Sequence, residues 1–286
     1  MESFNADDGE TIHFRDDGDG PPLVLLHGWT STHRDWNPFV GPLAEQHRVV
    51  RWDARAHGGH ALRTRTVATV ERMARDLDNL LNRLDLTGVT LVGHSMGALT
   101  LWQYLRDFGS ARVAAAVVID QTPKLVTDGC WDKGIYGDFD WERNAVFMRA
   151  LERDFAEAVL RLGADGLDPR ARQRYLENGD GIEAFRQRMR RLAPAPLIDC
   201  WASLTAADFR DVLPEIDVPV LLVYGGRSNF YTAETAAYVR DAIRDARLEV
   251  YEDVDHSPHL WRASRFIDDL LGFIAPRVAG RCPEAG

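Results

Sequence analysis

The chain has 286 residues, 45% of them hydrophobic, and a formal net charge of −10. That is enough apolar material for one large core or two small ones. The negative balance excludes a predominantly basic surface of the kind that neutralises phosphate, so neither nucleic acid nor an anionic membrane is an expected partner, and a small molecule is. Residues 1–14 contain no basic segment followed by an apolar one, and nothing later approaches the roughly 20 apolar residues of a membrane span, so the chain reads as unexported and cytoplasmic. Cys130, Cys200 and Cys282 are odd in number and outside any C-x-x-C spacing, as expected of reduced thiols.

In chain order, short continuous apolar runs fall at 23–27 (LVLLH), 48–53 (RVVRWD), 89–93 (VTLVG), 113–120 (VAAAVVID), 218–224 (VPVLLVY) and 247–254 (RLEVYEDV). Runs of this kind suit strands covered on both faces, as in a parallel sheet. Between them, Val70, Met73, Leu77, Leu80, Leu81 and Leu84 recur three or four apart and predict a helix over 70–84. From about 124 to 213 no strand signal is present. Phe147, Leu151, Phe155 and Val159 instead lie four apart and predict a helix, and Gly-Leu-Asp-Pro at 166–169 and Ala-Pro-Ala-Pro at 193–196 punctuate further helical stretches. The expected organisation is one α/β domain whose core comprises 1–122 and 214–286, interrupted by a helical insertion over 123–213. The tail after Ile274 is expected to fray.

Gly93-His94-Ser95-Met96-Gly97 fits G-x-S-x-G at the point where a strand gives way to a helix. A serine on so sharp a turn has a strained backbone, and its neighbours must be glycines to avoid Cβ clashes. The turn holds the hydroxyl at the carboxyl edge of the sheet, and the following helix directs its N-terminal N–H groups at developing negative charge. His94 sits beside the serine on a turn whose neighbouring side chains diverge, and is expected to pack or hydrogen bond rather than act as the base.

A serine hydroxyl needs a base, and a tetrahedral intermediate needs oxyanion donors. His27-Gly28-Trp29 ends the first strong strand, so the Trp29 amide can pair with that of Met96 as an oxyanion hole. His256, in DVDHSPHLW at 253–261, follows the last strand and is the candidate base.

With HGW at 27–29, DARAHG at 53–58, GHSMG at 93–97 and DHSPH at 255–259, the chain resembles α/β-hydrolase fold enzymes, in motif order and over residues 10–275. The resemblance implies a Ser, acid, His triad, an active site at the carboxyl edge of a mostly parallel sheet, and a helical cap that shapes the pocket. Two departures are visible. The usual D-x-R-G-x-G-x-S loop here reads Asp53-Ala54-Arg55-Ala56-His57-Gly58-Gly59-His60, a change expected to be structural. His57 and His60, like His256 and His259, have no further ligand set nearby and are not read as a metal site.

The second departure concerns the acid. Many relatives carry it in a G-x-x-D loop after the strand that follows the cap, whereas this chain has Gly225-Gly226-Arg227-Ser228-Asn229 there. Haloalkane dehalogenases and cofactor-independent dioxygenases of the same fold place it after the strand following the nucleophile helix, which here is Asp120. Asp253, Asp255 and, as a neutral orienter, Asn229 are the rivals. His256 is preferred to His259 because the family histidine directly follows the strand-end loop. Trp131, Trp141, Trp201 and Phe230 are candidate pocket residues, and a partly apolar or aromatic substrate is expected. The leading expectation is a serine hydrolase of an ester, lactone or thioester with Ser95, Asp120 and His256 as triad, needing no cofactor or metal. A cofactor-independent oxygenase or carbon–carbon bond hydrolase is the alternative, and a non-catalytic binding protein a further one.

Overall fold

The computed structural model describes residues 1–278. Its first two strands, β1 (Glu2–Asn5) and β2 (Thr11–Asp17), escape a search for continuous apolar runs. Only Phe4 in the first, and Ile12 and Phe14 in the second, are buried, which is the alternation of an antiparallel pair at a sheet edge. The six apolar runs become β3 (Pro22–Leu26), β4 (Arg48–Asp53), β5 (Val89–His94), β6 (Val113–Ile119), β7 (Val220–Gly225) and β8 (Ala246–Tyr251). The sheet has the order β1-β2-β4-β3-β5-β6-β7-β8 and is parallel from β4 onward, with β2 antiparallel to β4.

Helices cover both faces, which is why the inner strands β3, β5, β6 and β7 are apolar nearly throughout, whereas β8, at the sheet edge, buries only Tyr251. They are α1 (Asn37–Ala44), α2 (Val70–Arg83), α3 (Met96–Phe108), α4 (Trp141–Arg153), α5 (Phe155–Ala164), α6 (Pro169–Glu177), α7 (Asp180–Arg190), α8 (Pro194–Ala206), α9 (Ala233–Ala242), α10 (Pro258–Trp261) and α11 (Ala263–Val278). Val24 and Leu26 of β3 share a core with α2, α3 and α9, whereas Leu23 and Leu25 face α1 and α11. The expected stripe on α2 is buried except at its end, where Leu84 caps the helix and is half-buried: Met73, Leu77, Leu80 and Leu81 each contribute about 1.5–3 kcal/mol of burial before side-chain entropy is charged. Among the described residues no helix is long and apolar enough to cross a membrane.

Between β6 and β7 the chain forms five α-helices, α4 to α8, and its only extended pairings there are isolated bridges, Lys124 with Asp208 and Asp128 with Trp131. The spacing from Phe147 to Val159 predicts one helix, but the structure has two. Asp154 ends α4 with an extended backbone and caps α5 by accepting the Glu157 amide at 3.1 Å, so the apolar phase runs on across a break. Pro169 and Pro194 open α6 and α8, as their fixed φ favours. At the other end α11 packs Phe266, Leu270, Phe273 and Ile274 into the core and its helical backbone runs on to Val278, within the tail expected to fray. Cys282 and the rest of the tail lie outside the described residues.

The 53–60 loop is tied down by charge. The Arg55 guanidinium, fully buried, donates to Asp76 of α2 at 2.8 Å and to Asp8 of the β1–β2 turn at 2.9 Å. Such a buried cluster fixes position more than it stabilises, and losing one partner costs about 3–5 kcal/mol.

Candidate active site

Ser95 joins β5 to α3 with φ +52° and ψ −118°, a strained conformation for a residue other than glycine. Its amide donates to the Ile119 carbonyl at 3.1 Å, which ties the turn to the end of β6. The second glycine of the motif is needed for close approach: a Cβ at Gly97 would lie 2.2 Å from the Leu26 carbonyl oxygen. The turn is therefore wedged against β3, and the HGW loop that follows β3 comes over it. A Cβ on Gly28 would lie 3.5 Å from that of Ser95. The Met96 amide, first in α3, has no intrahelical acceptor.

Asp120 directly follows β6, also in the left-handed region (φ +47°), and is wholly buried. Its Oδ2 lies 2.6 Å from Nδ1 of His256, in the loop after β8. The same oxygen accepts from the Ser228 hydroxyl at 2.7 Å, and Oδ1 accepts from the Gly225 amide at 3.3 Å. A carboxylate there requires the proton on Nδ1 and leaves Nε2 as the basic nitrogen.

The rivals are engaged elsewhere. Asp253 is exposed and pairs with Arg227 at 3.0 Å. Asp255 accepts from the Ser257 amide at 3.1 Å and the Trp261 indole at 2.8 Å. Asn229 donates to the Gly163 carbonyl at 2.9 Å. His259 is buried against Trp36, Phe39 and Phe266 and does not line the cavity described below.

Ser95, Met96 and His256 line one cavity of about 300 Å³, together with Trp29, Trp201 and Phe230. Among the described residues no hydrogen bond joins the Ser95 hydroxyl to His256; contacts of this kind commonly tighten only when substrate binds. The Trp29 indole donates to the Leu197 carbonyl of α8 at 3.0 Å and its ring packs 4.8 Å from Trp201, so the wall facing the serine is part loop and part cap.

The other two candidate pocket residues do not reach the cavity. Trp131 is buried against Tyr238 and under the Arg210 guanidinium, with its indole donating to the Lys124 carbonyl at 2.9 Å. Trp141 is the first residue of α4, a turn short of the stretch that buries Asn144, Phe147 and Leu151, and is 53% exposed. Ser228 was missed in the sequence as a partner of Asp120, as were Ile135, Val159 and Leu204 as lining residues. A hydroxyl standing in the loop that lacks a carboxylate was the available signal for the first; the others look like ordinary core positions until the cap is folded.

The remaining histidines hold the scaffold. His94 donates through Nε2 to the His256 carbonyl at 2.9 Å and so braces the loop that presents the base. Burial holds its ring neutral, well below the usual imidazole range. His27 donates to the Gly28 carbonyl at 2.8 Å and accepts the Ala54 amide at 3.0 Å. His57 faces the Arg55 carbonyl, and His60 and His33 both bond Asp53 at 2.9 Å. Among the described residues the group compact enough to hold a metal ion is Asp7, Asp8 and Asp76, and the Arg55 and Arg72 guanidiniums already occupy it.

Burial, with a lesser push from a neighbouring histidine, lowers His57 and His259 to about 3. Unfolded, both rings titrate near 6.5. Between those limits the unfolded chain binds protons that the folded chain refuses, so stability is complete above about 6.5 and falls on acidification, by up to ~1.4 kcal/mol per pH unit for each ring. The melting temperature is expected to decline from pH 7 to pH 5, before carboxylates titrate, and His259→Leu is expected to flatten the slope. A melting temperature that is level over this range contradicts the assignment.

A family model for the alpha/beta hydrolase fold matches residues 21–263. A non-heme haloperoxidase of Rhodococcus erythropolis is 31% identical, with 96% of this chain and 99% of the relative covered. The 3-oxoadipate enol-lactonase 1 of Acinetobacter baylyi is 25% identical over 93% of this chain and 94% of its own. Among solved structures, an esterase of Exiguobacterium antarcticum superposes with a TM-score of 0.82 at 24% identity, covering 96% of this chain and 98% of that one, a likeness of fold alone.

Proposed function

The chain belongs to the alpha/beta hydrolase fold family of enzymes, and we propose that it is a serine hydrolase cleaving an ester, lactone or thioester of a partly apolar or aromatic small molecule. The observation that carries this reading is the 2.6 Å contact of buried Asp120 with His256, whose ring lines the same cavity as a serine held on a strained turn. In this mechanism the Ser95 oxygen attacks the substrate carbonyl carbon while His256 Nε2 takes its proton. The amides of Trp29 and Met96 receive the oxyanion, a device worth about 3 kcal/mol per donor in comparable enzymes. Collapse expels the alcohol or thiol, protonated by His256, and leaves an acyl group on Ser95. Water then attacks, again giving its proton to His256, and the acid departs with Ser95 restored. The apolar walls of Trp29, Trp201 and Phe230 suit the acyl side of such a substrate.

The relative named as a non-heme haloperoxidase favours a second reading, in which hydrogen peroxide replaces water in the second half and the product is a peracid. Both readings need the same acyl-enzyme. Incubation with a fluorophosphonate is expected to add one phosphonyl group to the intact protein, on the peptide containing Ser95. An unmodified mass, or a label on another residue, refutes both readings, and the effect of peroxide on the product tells them apart.

A further inference from the structure

We propose that the loop 225–231, which lacks the carboxylate found there in many relatives, is the cradle of Asp120, and that Ser228 is a positioning residue for the Asp120–His256 pair. The inference rests on the triad reading above. Oδ2 of Asp120 receives two donors, His256 Nδ1 at 2.6 Å and Ser228 Oγ at 2.7 Å, while Oδ1 receives the Gly225 amide at 3.3 Å. A carboxylate on its own rotates in a broad, shallow well. Three donors from two directions decide which oxygen faces the imidazole.

Ser228 is not a free rotor. Its oxygen accepts the amides of Phe230 and Tyr231, both at 3.2 Å, so its lone pairs are engaged and its one proton is left to point at Asp120. The residue is 5% exposed, which leaves little room for water to compete for that proton. The loop itself is clamped from two bodies. From the cap side, the Leu167 amide donates to the Asn229 carbonyl at 2.9 Å and the Tyr136 amide to the Phe230 carbonyl at 2.8 Å. From the sheet side, the Gly226 and Arg227 amides donate to the carbonyls of Tyr251 and Val254 at 2.8 and 2.9 Å. A donor held so firmly loses little freedom in making a bond to a charged acceptor, where a hydrogen bond is strongest. The segment that supplies the acid in other chains here supplies the hydrogen bonds that aim it.

Ser228→Ala is expected to lower kcat for p-nitrophenyl butyrate about tenfold with KM within about twofold. It is also expected to move or broaden the downfield proton resonance of His256 Nδ1–H, identified by its loss in His256→Gln. Ser228→Thr keeps the hydroxyl and restores both. A merely structural serine would lower the melting temperature of Ser228→Ala and leave the resonance in place; an unmoved resonance overturns the proposal even if the variant is unstable. If the wild-type protein neither hydrolyses the ester nor takes the fluorophosphonate label on Ser95, the acyl-enzyme reading falls, and the resonance still decides whether Ser228 aims Asp120.

Discussion

Ser95→Ala is expected to fold as the wild-type protein does and to lower turnover of a p-nitrophenyl ester by about 10⁵–10⁶-fold. The side chain touches little whose loss would destabilise the fold. The strain resides in the backbone, at φ +52°, and is relieved by neither residue. Without the hydroxyl no acyl-enzyme can form, and what remains is water attack aided by the oxyanion amides and by binding, which is worth about 10³–10⁴ over solution in enzymes of this kind. The size of the loss therefore discriminates between mechanisms. In cofactor-independent oxygenation, the alternative expected from the sequence, the serine only helps to bind substrate. Oxygen uptake with a hydroxylated aromatic compound that survives Ser95→Ala would transfer the chemistry from Ser95 to His256 and Asp120.

Asp120→Asn is expected to preserve the fold and to cut turnover about 10³-fold. An amide can keep its oxygen at the Oδ2 position, where His256 and Ser228 both donate, so the histidine retains its tautomer. The amide nitrogen then faces the Gly225 amide, a donor against a donor across 3.3 Å. The loss comes from charge: a neutral amide cannot stabilise the imidazolium formed as Ser95 gives up its proton. Where the tautomer is also lost the penalty is nearer 10⁴, so a steady-state measurement on this variant reports which of the two effects governs. Activity within about threefold of wild type would remove Asp120 from the mechanism, since even one hydrogen bond to a charged group is worth more.

Legibility in the sequence varied with the range of the interaction. The inner strands β3 to β7 and α2 were readable because their pattern is written in consecutive residues: strands covered on both faces must be largely apolar, and a helix packed on a sheet must be apolar every three or four positions. β1 and β2 were not, since an edge pair buried on one face alternates and a short alternating run looks like a loop. The break at Asp154 was hidden because the two helices it separates keep the same apolar phase, and only the capping bond to Glu157 marks the boundary.

The site divides along the same line. Gly97 could be read as obligatory from the motif, and the structure gives the cause in the 2.2 Å approach to Leu26. Asp120 and His256 were reached through the family resemblance, once the later loop was seen to hold no carboxylate, but Ser228 was not: it lies 108 positions from the carboxylate it bonds. Trp131 and Trp141 show the opposite limit. An aromatic in the insertion lines the cavity only if its helix turns that face inward, and nothing local says which face that is.

By itself, then, the chain determined its layered α/β architecture, the strained serine and the kinds of groups that serve it, because steric rules and burial patterns act between near neighbours. Tertiary structure decided between the expected carboxylate and its rivals, which hydroxyl aims that carboxylate and which of the candidate aromatic rings wall the cavity. Hydrogen bonds work over about 3 Å, and only the folded sheet and cap bring residues more than a hundred positions apart within that reach.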